Sequence, residues 1–524
     1  MRLQQLTEVA VKRPIWMAAM AAPALPAIAI ACLGDGAQAT ASATMGALGL
    51  SSAMVALSLR RTLNAARTAA ASKTAPPARA PKRSRKVPKQ RAEELRSWQS
   101  RLDNGWSTSA SEALRRVAES EQEHPESRVR ALAALCGHSA ARRGARRSAR
   151  NLRADIVIVS TMNLRGGTTS ANTAEILAYR AAGLRVGLVH HPVLDRAMGR
   201  PIDDRIRALI DGDRVFEVGP HDTVECDLAI ARFPVALANL MDDRPRIDAA
   251  RAVLLVNQTP FEQYGPTGGY GTAWSIRDVH RNVTDWLGPH TWYSIGPAVR
   301  DTLRTHHAEE LSGVEQADDF WYETIDVAEW TPRSRHVRAE GEPIRIGRHS
   351  RDHVTKFPNM AKRLRDAYPS AEDLEVHVLG GHEALRRILG AIPEEWVSHP
   401  FGAMSAVEFL GSVDVYAYFV DEDLVEAFGR APLEAMAAGV PCILPGEFAE
   451  LFGDGALYCE PDKVEAHARL LMADPDLYAE RVRAGLRVVH ERFSPEALLR
   501  RVSGLGVAVE PSEPAAAMSA GGVR

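Results

Sequence analysis

Cysteine is scarce in this chain of 524 residues, and none of its five cysteines lies close to another. They stand at Cys32, Cys136, Cys226, Cys442 and Cys459, so the chain has no C-x-x-C pair. Disulfide frameworks and zinc knuckles are built from closely spaced cysteines. The sequence therefore indicates neither of them, and we expect a reducing compartment.

The chain also lacks an excess of either charge. Its 64 basic and 66 acidic residues give a formal net charge of −2, which argues against a nucleic-acid binder over the whole chain. Hydrophobic residues make up 45% and charged residues 25%, which excludes a fully disordered chain, a collagen-like fibre and a polytopic transporter. The length predicts about three domains. Lysine is rare, since only eight of the basic residues are lysines and five of those precede residue 90.

Long uncharged runs occur only at the start of the chain. Residues 14–34 and 36–59 carry no charge, and basic pairs flank their outer ends. About 20 apolar residues suffice for a membrane-spanning helix. Residues 1–61 are thus predicted to form a membrane-anchoring helical hairpin with both ends on the cytoplasmic side. Two other interpretations fit: a signal peptide cut near the A-x-A at 37–39, or two weak helices that pack on protein or lie at the interface.

Residues 62–105 are interpreted as a basic, Pro/Ala-rich linker that stays extended and lies near anionic lipid headgroups. A helical segment is expected over 106–150, with a break at His124-Pro125, and no chemistry is assigned to it. The last residues, 506–524, are predicted to be a disordered tail.

From residue 151 onward, short apolar runs rich in β-branched residues alternate with helical stretches. This pattern is typical of parallel sheets buried between helices. It occurs as two series, so we predict two tandem Rossmann-like α/β domains over 151–335 and 336–505 with a cleft between them.

Two glutamates of the second domain, Glu426 and Glu434, have seven residues between them and flank a predicted helix start. The helix dipole favours an anion at Glu434, and two such carboxylates can accept hydrogen bonds from the hydroxyls of a sugar and a ribose. Taken alone, the spacing also fits two solvated acids at a helix start.

Basic residues follow a predicted strand of the same domain. Arg348, Arg351 and Lys356 are concentrated where this strand ends, and such cations suit a diphosphate. A basic surface loop is the alternative. In the first domain, the pair Gly166-Gly167 with Thr168 lies between a strand and a helix, where backbone can approach phosphate oxygens, although a tight turn has the same sequence.

The second half of the chain resembles the retaining GT-B glycosyltransferases, in particular glycosyltransferase family 4. The resemblance covers about 340–503, is thinner over 151–335 and is absent before 150. The segments that carry it are IGRHSRDHVTKFP, VEFLGSVDVYAYF, EAFGRAPLEAMAAGVPCILP, GEFAELFGDGALYCEP and ERFSPEALLRRV.

The resemblance implies roles for individual residues. Arg348 and Lys356 would stabilise the departing diphosphate, Glu426 would bind the transferred sugar, and Glu434 would bind the ribose. The other donor-binding residues that it implies are Gly166, Gly167, Thr168, Arg351, Phe428, Gly429 and Arg430. The nucleobase would lie near 398–403. No histidine follows the strand that ends before Asn257, where the family often has one, so none is assigned.

The resemblance also implies that no metal or cofactor is needed, since the nucleoside-diphosphate sugar is the substrate. The acidic run Asp421-Glu422-Asp423 is interpreted as a solvated loop rather than a metal site. The predicted function is sugar transfer with retained anomeric configuration, in cell-envelope polysaccharide or glycolipid synthesis at the cytoplasmic face of the membrane. The expected partners are a nucleotide-sugar donor, a lipid-linked or saccharide acceptor and the membrane, without nucleic acid. An epimerase or phosphorylase of the same fold, and a silent sugar-nucleotide-binding protein, are the alternatives.

Overall fold

The computed structural model describes residues 87–164, 166–265 and 268–509. The predicted membrane hairpin, most of the linker and the tail from residue 510 lie outside these residues. No helix in the described part is both long enough and apolar enough to span a bilayer.

Three helices open the described chain: α1 (Lys89–Asp103), α2 (Ser107–Glu119) and α3 (Pro125–Arg147). Their common core includes Leu95 and Leu102 of α1 together with Leu114 and Val117 of α2. The prediction of an extended linker up to residue 105 is therefore wrong for residues 89–103. Residues 89–103 consist mostly of good helix formers, and packing of their short apolar stripe against α2 and α3 stabilises the helix.

The first α/β domain is built on a parallel sheet in the order β3-β2-β1-β4-β5-β8. Its strands are β1 (Asn151–Ser160), β2 (Val186–His190), β3 (Val215–Glu217), β4 (Thr223–Arg232), β5 (Arg246–Val256), β6 (Phe261–Gly265), β7 (Gly268–Thr272) and β8 (Thr291–Ser294). The helices that accompany them are α4 (Gly167–Ala181), α5 (Asp204–Arg207), α6 (Pro234–Leu237), α7 (Ile276–Leu287), α8 (Pro297–His306) and α9 (Val327–Trp330). Strands β6 and β7 form a separate antiparallel hairpin, which the sequence did not predict.

The second α/β domain repeats this arrangement in the order β11-β10-β9-β12-β13-β14. Its strands are β9 (Ile344–His349), β10 (Leu374–Gly380), β11 (Trp396–Pro400), β12 (Val415–Ala417), β13 (Cys442–Leu444) and β14 (Ala456–Tyr458). Its helices are α10 (Ala361–Ala367), α11 (Glu383–Leu389), α12 (Ala406–Gly411), α13 (Arg430–Ala437), α14 (Ala449–Phe452), α15 (Val464–Ala473) and α16 (Pro475–Val488). Two parallel α/β sheets in tandem confirm the predicted fold class for the described residues.

The final helix, α17 (Pro495–Gly504), returns to the first domain. Its Leu498 and Val502 are buried in the same apolar cluster as Ile176 and Tyr179 of α4. A bidentate ion pair adds a polar contact between the domains, since both terminal nitrogens of Arg300 contact the Glu450 carboxylate, at 2.7 and 2.8 Å. Besides the chain connection near residue 335, the packing of α17 and the ion pair of Arg300 therefore join the two domains.

Candidate functional site

A cleft of about 940 Å³ lies between the two α/β domains. The first domain contributes the turn after β1 and the residues that follow β5, and the second contributes the loop after β9 and the start of α13. Ligands of parallel α/β sheets bind beyond the carboxyl ends of the strands, so this cleft is where the fold favours a site.

Lys356 and Glu426 meet in the cleft although they are 70 residues apart in the chain. The Lys356 ammonium donates to Oε2 of Glu426, and the Tyr418 hydroxyl donates to the same oxygen at 2.8 Å. Both side chains of the ion pair are largely buried. An ammonium has three donors, so Lys356 retains hydrogen-bonding capacity for a ligand anion.

The pKa of Glu426 lies below its usual value. Burial alone would raise it, but the charge of Lys356 and the hydrogen bonds from Lys356 and Tyr418 outweigh burial, with a further contribution from Arg348. Glu426 is therefore an ionised acceptor at neutral pH, as a partner of sugar hydroxyls needs to be. Burial beside this carboxylate raises the pKa of Tyr418 well above its usual range, which keeps the phenol protonated as a donor.

Arg348 does not lie where a residue in contact with the departing diphosphate would be expected. Its side chain is fully buried and is not among the residues that line the cleft. The guanidinium carbon lies 4.3 Å from the ring centre of Phe357 and 4.6 Å from that of Tyr418, and one terminal nitrogen donates to the Tyr368 hydroxyl at 2.7 Å. Direct contact of Arg348 with a diphosphate does not agree with this enclosure, because three aromatic rings surround the guanidinium.

Glu434 is bound by an arginine of α13 and by a histidine at the end of β9. Nε2 of His349 lies 2.8 Å from its Oε2, and Nε of Arg430 donates to its Oε1 at 3.1 Å. Arg430 also contacts Glu323, at 3.0 Å, in the segment that joins the domains. Each carboxylate oxygen of Glu434 has a second lone pair, so ribose hydroxyls can still donate to it.

The first domain presents mainly backbone and neutral groups to the cleft. Gly166, Gly167 and Thr168 line it at the start of α4, and Nδ2 of Asn257 donates to the Thr168 hydroxyl at 3.2 Å. Oδ1 of Asn257 is buried and has no hydrogen-bond partner among the described residues. The start of α4 therefore lines the same cleft as Lys356, and its phosphate-binding role stays a prediction.

Two arginines at the cleft are free of carboxylates. Lys356 and Arg430 are each paired with glutamate, whereas Arg351 from the second domain and Arg196 from the first have no carboxylate within 4.0 Å in the described part of the chain. Arg196 was not predicted, because one arginine in an arginine-rich sequence gives no signal. The charges of these two side chains are therefore not compensated by a described carboxylate.

The loop that carries Arg351 is held by a close approach to the end of β10. Asp352 accepts the backbone N–H groups of Glu383 and Ala384 at 2.9 and 2.8 Å, which caps α11. Gly380 has φ of +129°, and a Cβ on it would lie 1.9 Å from the Ser350 carbonyl oxygen. Only glycine fits at this position. The pair Gly380-Gly381 at the end of a predicted strand is the sequence feature that could have indicated this close contact.

The helix start between the two glutamates has a similar requirement. Gly429 precedes α13 with φ of +80°, and a Cβ on it would lie 2.7 Å from the ring of Phe448. The glycine turns the chain so that Glu426 and Glu434 both face the cleft. Phe428 beside it is buried and also borders the cleft.

The acidic run after β12 contacts protein groups. Nε of Arg363 lies 2.6 Å from Glu422, and the Tyr270 hydroxyl donates to Asp423 at 3.3 Å. No cluster of three or more His, Cys, Asp or Glu side chains suited to a metal ion occurs in the described ranges. The expected independence from metals and cofactors stays a prediction.

Of the predicted site residues, the structure brings together all except Arg348 along the cleft. They are Gly166, Gly167, Thr168, Arg351, Lys356, Glu426, Phe428, Gly429, Arg430 and Glu434. Their roles stay predictions. The sequence analysis assigned no role to Tyr418, His349, Asp352, Glu323 or Arg196. Tyr418, His349 and Asp352 lie within segments that carry the resemblance, but a sequence segment does not show which of its side chains meet in the folded protein.

No protein-family model matches this chain, and no curated protein matches it. Solved structures do show similarity. HepE from Anabaena, in complex with UDP-glucose, has 14% identity and a TM-score of 0.44, over 67% of this chain and 98% of HepE. An α-glucosyltransferase in complex with UDP and a DNA has 11% identity and a TM-score of 0.41, over 67% of this chain and 99% of its own.

The N-terminal domain of a trehalose-6-phosphate phosphatase from Candida albicans has 11% identity and a TM-score of 0.39, over 68% of this chain and 96% of that domain. Similarity at this level does not distinguish one activity from another. The architecture of this chain therefore rests on its own strand order, and its function rests on the cleft.

Proposed function

We propose that the protein is a glycosyltransferase that moves a sugar from a nucleoside-diphosphate sugar to an acceptor with retention of anomeric configuration. The observation that carries this proposal is the pair of glutamates in one cleft. Glu426 is held ionised by Lys356 and Tyr418, and Glu434 is held by His349 and Arg430. Two fixed carboxylates, with cations and a glycine turn between them, match the hydroxyl, phosphate and ribose groups of a nucleotide sugar.

Each group has a role in this proposal. Glu426 accepts hydrogen bonds from hydroxyls of the transferred sugar, and Glu434 accepts those of the ribose. Lys356 and Arg351 compensate the negative charge that grows on the diphosphate as it leaves, and backbone N–H groups at Gly167 and Thr168 approach the phosphates from the other domain. Arg348 acts as a positioning residue, because its charge reaches the site through Tyr418.

The reaction needs no protein nucleophile. The bond between the sugar C1 and the donor phosphate oxygen breaks while the acceptor oxygen bonds to C1 on the same face. The acceptor's proton passes to the departing phosphate oxygen, so atoms and charge balance. Stabilisation of the leaving diphosphate in a partly dry cleft is then the main contribution of the protein.

The same proposal includes a lipid-linked or saccharide acceptor and a place at the cytoplasmic face of the membrane, in envelope polysaccharide or glycolipid synthesis. This part is supported by the two uncharged N-terminal runs and the basic stretch that follows them. Removal of residues 1–61 should release the protein from the membrane fraction and leave donor turnover intact.

The deciding experiment is turnover of the full chain with a panel of nucleoside-diphosphate sugars, together with the Glu426→Ala variant. We expect release of nucleoside diphosphate for one donor, and transfer with retention seen by NMR of the product. Glu426→Ala should lose most transfer yet bind the nucleoside diphosphate as the wild type does, because its partner is the sugar.

A change of sugar stereochemistry without transfer would instead identify an epimerase, and release of sugar phosphate from a saccharide with inorganic phosphate would identify a phosphorylase. Nucleotide binding without turnover of any donor would contradict catalysis altogether. Equal loss of nucleotide affinity and activity in Glu426→Ala would show that this carboxylate has another role.

A further inference from the structure

A second pocket, of about 790 Å³, lies between the three N-terminal helices and the first α/β domain. Helices α1 and α3 form much of one wall, and residues at the end of β2 and next to β3 and β5 form the other. Among the described residues it shares no lining side chain with the donor cleft. Its volume is within the range of small-molecule sites, about 300–1,000 Å³.

One wall of the pocket is a row of small residues on α3. Ala133, Gly137, Ala141 and Ala145 follow one another at one-turn spacing, and all of them line the pocket. A Cβ on Gly137 would meet no atom within 4 Å. Glycine destabilises a helix interior relative to alanine. Gly137 therefore leaves space open in the pocket at a cost to the stability of α3.

One end of the pocket is polar and incompletely bonded. Asp243 is 9% exposed, with Arg142 at 3.2 Å and His138 at 3.9 Å. In the described part of the chain, no hydrogen bond reaches Oδ1 of Asp243, Nε of Arg142 or Nε2 of His138. Oδ1 of Asp243 is nevertheless in ion-pair contact with Arg142, so the open hydrogen-bonding positions at this end are Nε of Arg142 and Nε2 of His138. Buried polar atoms in proteins are almost always paired, so these two positions suit a polar group of a ligand.

His190 adds a donor to the same pocket. Its Nδ1 accepts the N–H of Met162 at 3.1 Å, so a neutral ring carries its proton on Nε2, which lacks a partner among the described residues. Burial lowers the pKa of His190 to about 4, so the ring is neutral at physiological pH. The open positions at this end are thus mostly N–H donors, which suit oxygen acceptors on a ligand.

Guanidinium groups in the lining point in the same direction. Three arginines and two aspartates border the pocket, namely Arg96, Arg130, Arg142, Asp103 and Asp243. Arg130 and Arg142 are paired with Glu126 and Asp243, so it is the N–H donors of the guanidinium groups, rather than a net charge, that suit a carboxylate or phosphate. The remaining wall is apolar, because leucine, alanine, valine and methionine side chains supply most of it.

We propose that this pocket binds a single-chain amphiphile with an anionic head, its apolar chain along the small-residue row of α3 and its head oxygens at Arg142, His138 and His190. The head is a carboxylate or a phosphate, and the amphiphile comes either from a membrane or from solution. This site gives the N-terminal helical segment a binding role that does not depend on the donor cleft.

The test is a fluorescence titration of the full chain, held in an amphipol, with dansyl-labelled undecanoic acid. We expect saturable binding at one site, displaced by dodecyl phosphate and by dodecanoate but not by dodecyltrimethylammonium. Displacement by vesicles that contain lysophosphatidic acid, a single-chain phosphate amphiphile, compared with the two soluble competitors, distinguishes a membrane source from a soluble one.

Gly137→Phe should weaken probe binding at least tenfold, because the new side chain occupies the pocket from a position where a Cβ meets no atom within 4 Å. Gly144→Phe is the matched control: it lies two turns further along α3, it also has no neighbour within 4 Å, and it is outside the lining. Ala141→Phe serves as a second blocking variant if Gly137→Phe does not fold. Equal affinity for the blocking and control variants, or equal displacement by the cationic amphiphile, would overturn the proposal.

Discussion

Two arginines are buried among the described residues, and their surroundings differ. Arg232, 3% exposed in the first domain, forms an ion pair with Glu175 and donates to Asn172 at 3.0 Å. Arg348, 0% exposed in the second domain, has no carboxylate partner, and two of its guanidinium nitrogens have no hydrogen bond in the described part of the chain. Glu175 neutralises the charge of Arg232, whereas no carboxylate among the described residues neutralises that of Arg348.

We infer from this difference that Arg232 stabilises the fold, whereas Arg348 acts on the cleft. A buried charge without an ionic partner is costly, and the aromatic rings around Arg348 return only part of that cost through cation–π contacts. Burial acts to lower its pKa, but the interactions with the tyrosines around it raise the pKa on balance, so the guanidinium stays charged. Arg348 lies behind Tyr418, which donates to Glu426, and in the proposed mechanism its charge therefore acts on the cleft rather than on the core.

Arg232→Met should have the largest effect on stability. Among the described residues, it leaves the buried Glu175 carboxylate with the Trp321 and Tyr179 donors alone. Removing one partner of a buried ion pair typically costs about 3–5 kcal/mol in the free energy of unfolding. Urea unfolding measures this loss of stability. Donor turnover of the folded fraction should be unchanged. An unfolding midpoint equal to that of the wild type would contradict a structural role for Arg232.

Lys356→Ala should have the largest effect on catalysis. It removes the cation that faces both Glu426 and the departing diphosphate, and loss of one such group costs about 10²–10³ in rate, or about 3–4 kcal/mol. The loss should fall mainly on kcat, because the charge grows toward the transition state. Lys362→Ala is the control, since Lys362 is exposed and paired only with Asp366 at 2.6 Å. If both variants turn over like the wild type, the assignment of Lys356 fails.

Tyr418→Phe tests the path between Arg348 and Glu426. It removes a hydrogen bond to a charged group, worth about 1.5–3 kcal/mol, so kcat/KM should fall about tenfold or more. Because the donor holds the pKa of Glu426 down, its loss raises that pKa, and the acid limb of the pH–rate profile should move to higher pH. Tyr458→Phe, which loses one bond to the Gly453 carbonyl, is the control and should leave the profile in place. An unmoved acid limb in Tyr418→Phe would separate Tyr418 from the site.

Arg348→Met should have the smallest effect on stability and completes the contrast with Arg232→Met. The substitution replaces a buried, partly unbonded charge with an apolar side chain of similar length, so the free energy of unfolding should change by less than about 1 kcal/mol. Turnover should nevertheless fall. Parallel measurements of unfolding and kcat on both variants decide the matter, and a loss of stability as large as that of Arg232→Met would make Arg348 a structural residue.

Much of the fold was predictable because its signals are local. Runs such as Ile156–Val159 are β-branched and continuous, and such runs predict buried parallel strands wherever they occur. The hairpin of β6 and β7 escaped because it is short and rich in glycine, and α1 escaped because basic residues surround its few apolar positions. Local composition does not record which apolar surface a segment will meet.

The site was predictable as a set of residues but not as a set of contacts. The motif around Gly429 placed both glutamates near one helix start. Lys356 binds Glu426, 70 residues further along the chain, whereas Arg348 is enclosed by aromatic rings. This difference depends on the directions in which the side chains of β9 and of the loop after it point. Such choices are made by tertiary packing, which a linear motif does not specify.

The return of α17 to the first domain has a consequence for synthesis on the ribosome. The apolar cluster of the first domain contains Leu498 and Val502, although the rest of that domain is complete by about residue 335. At about 5–20 residues per second, the ribosome needs roughly 8–35 s to add the intervening chain. During that interval the outer face of α4 is exposed to water, so the emerging first domain has an apolar surface that only the end of the same chain covers.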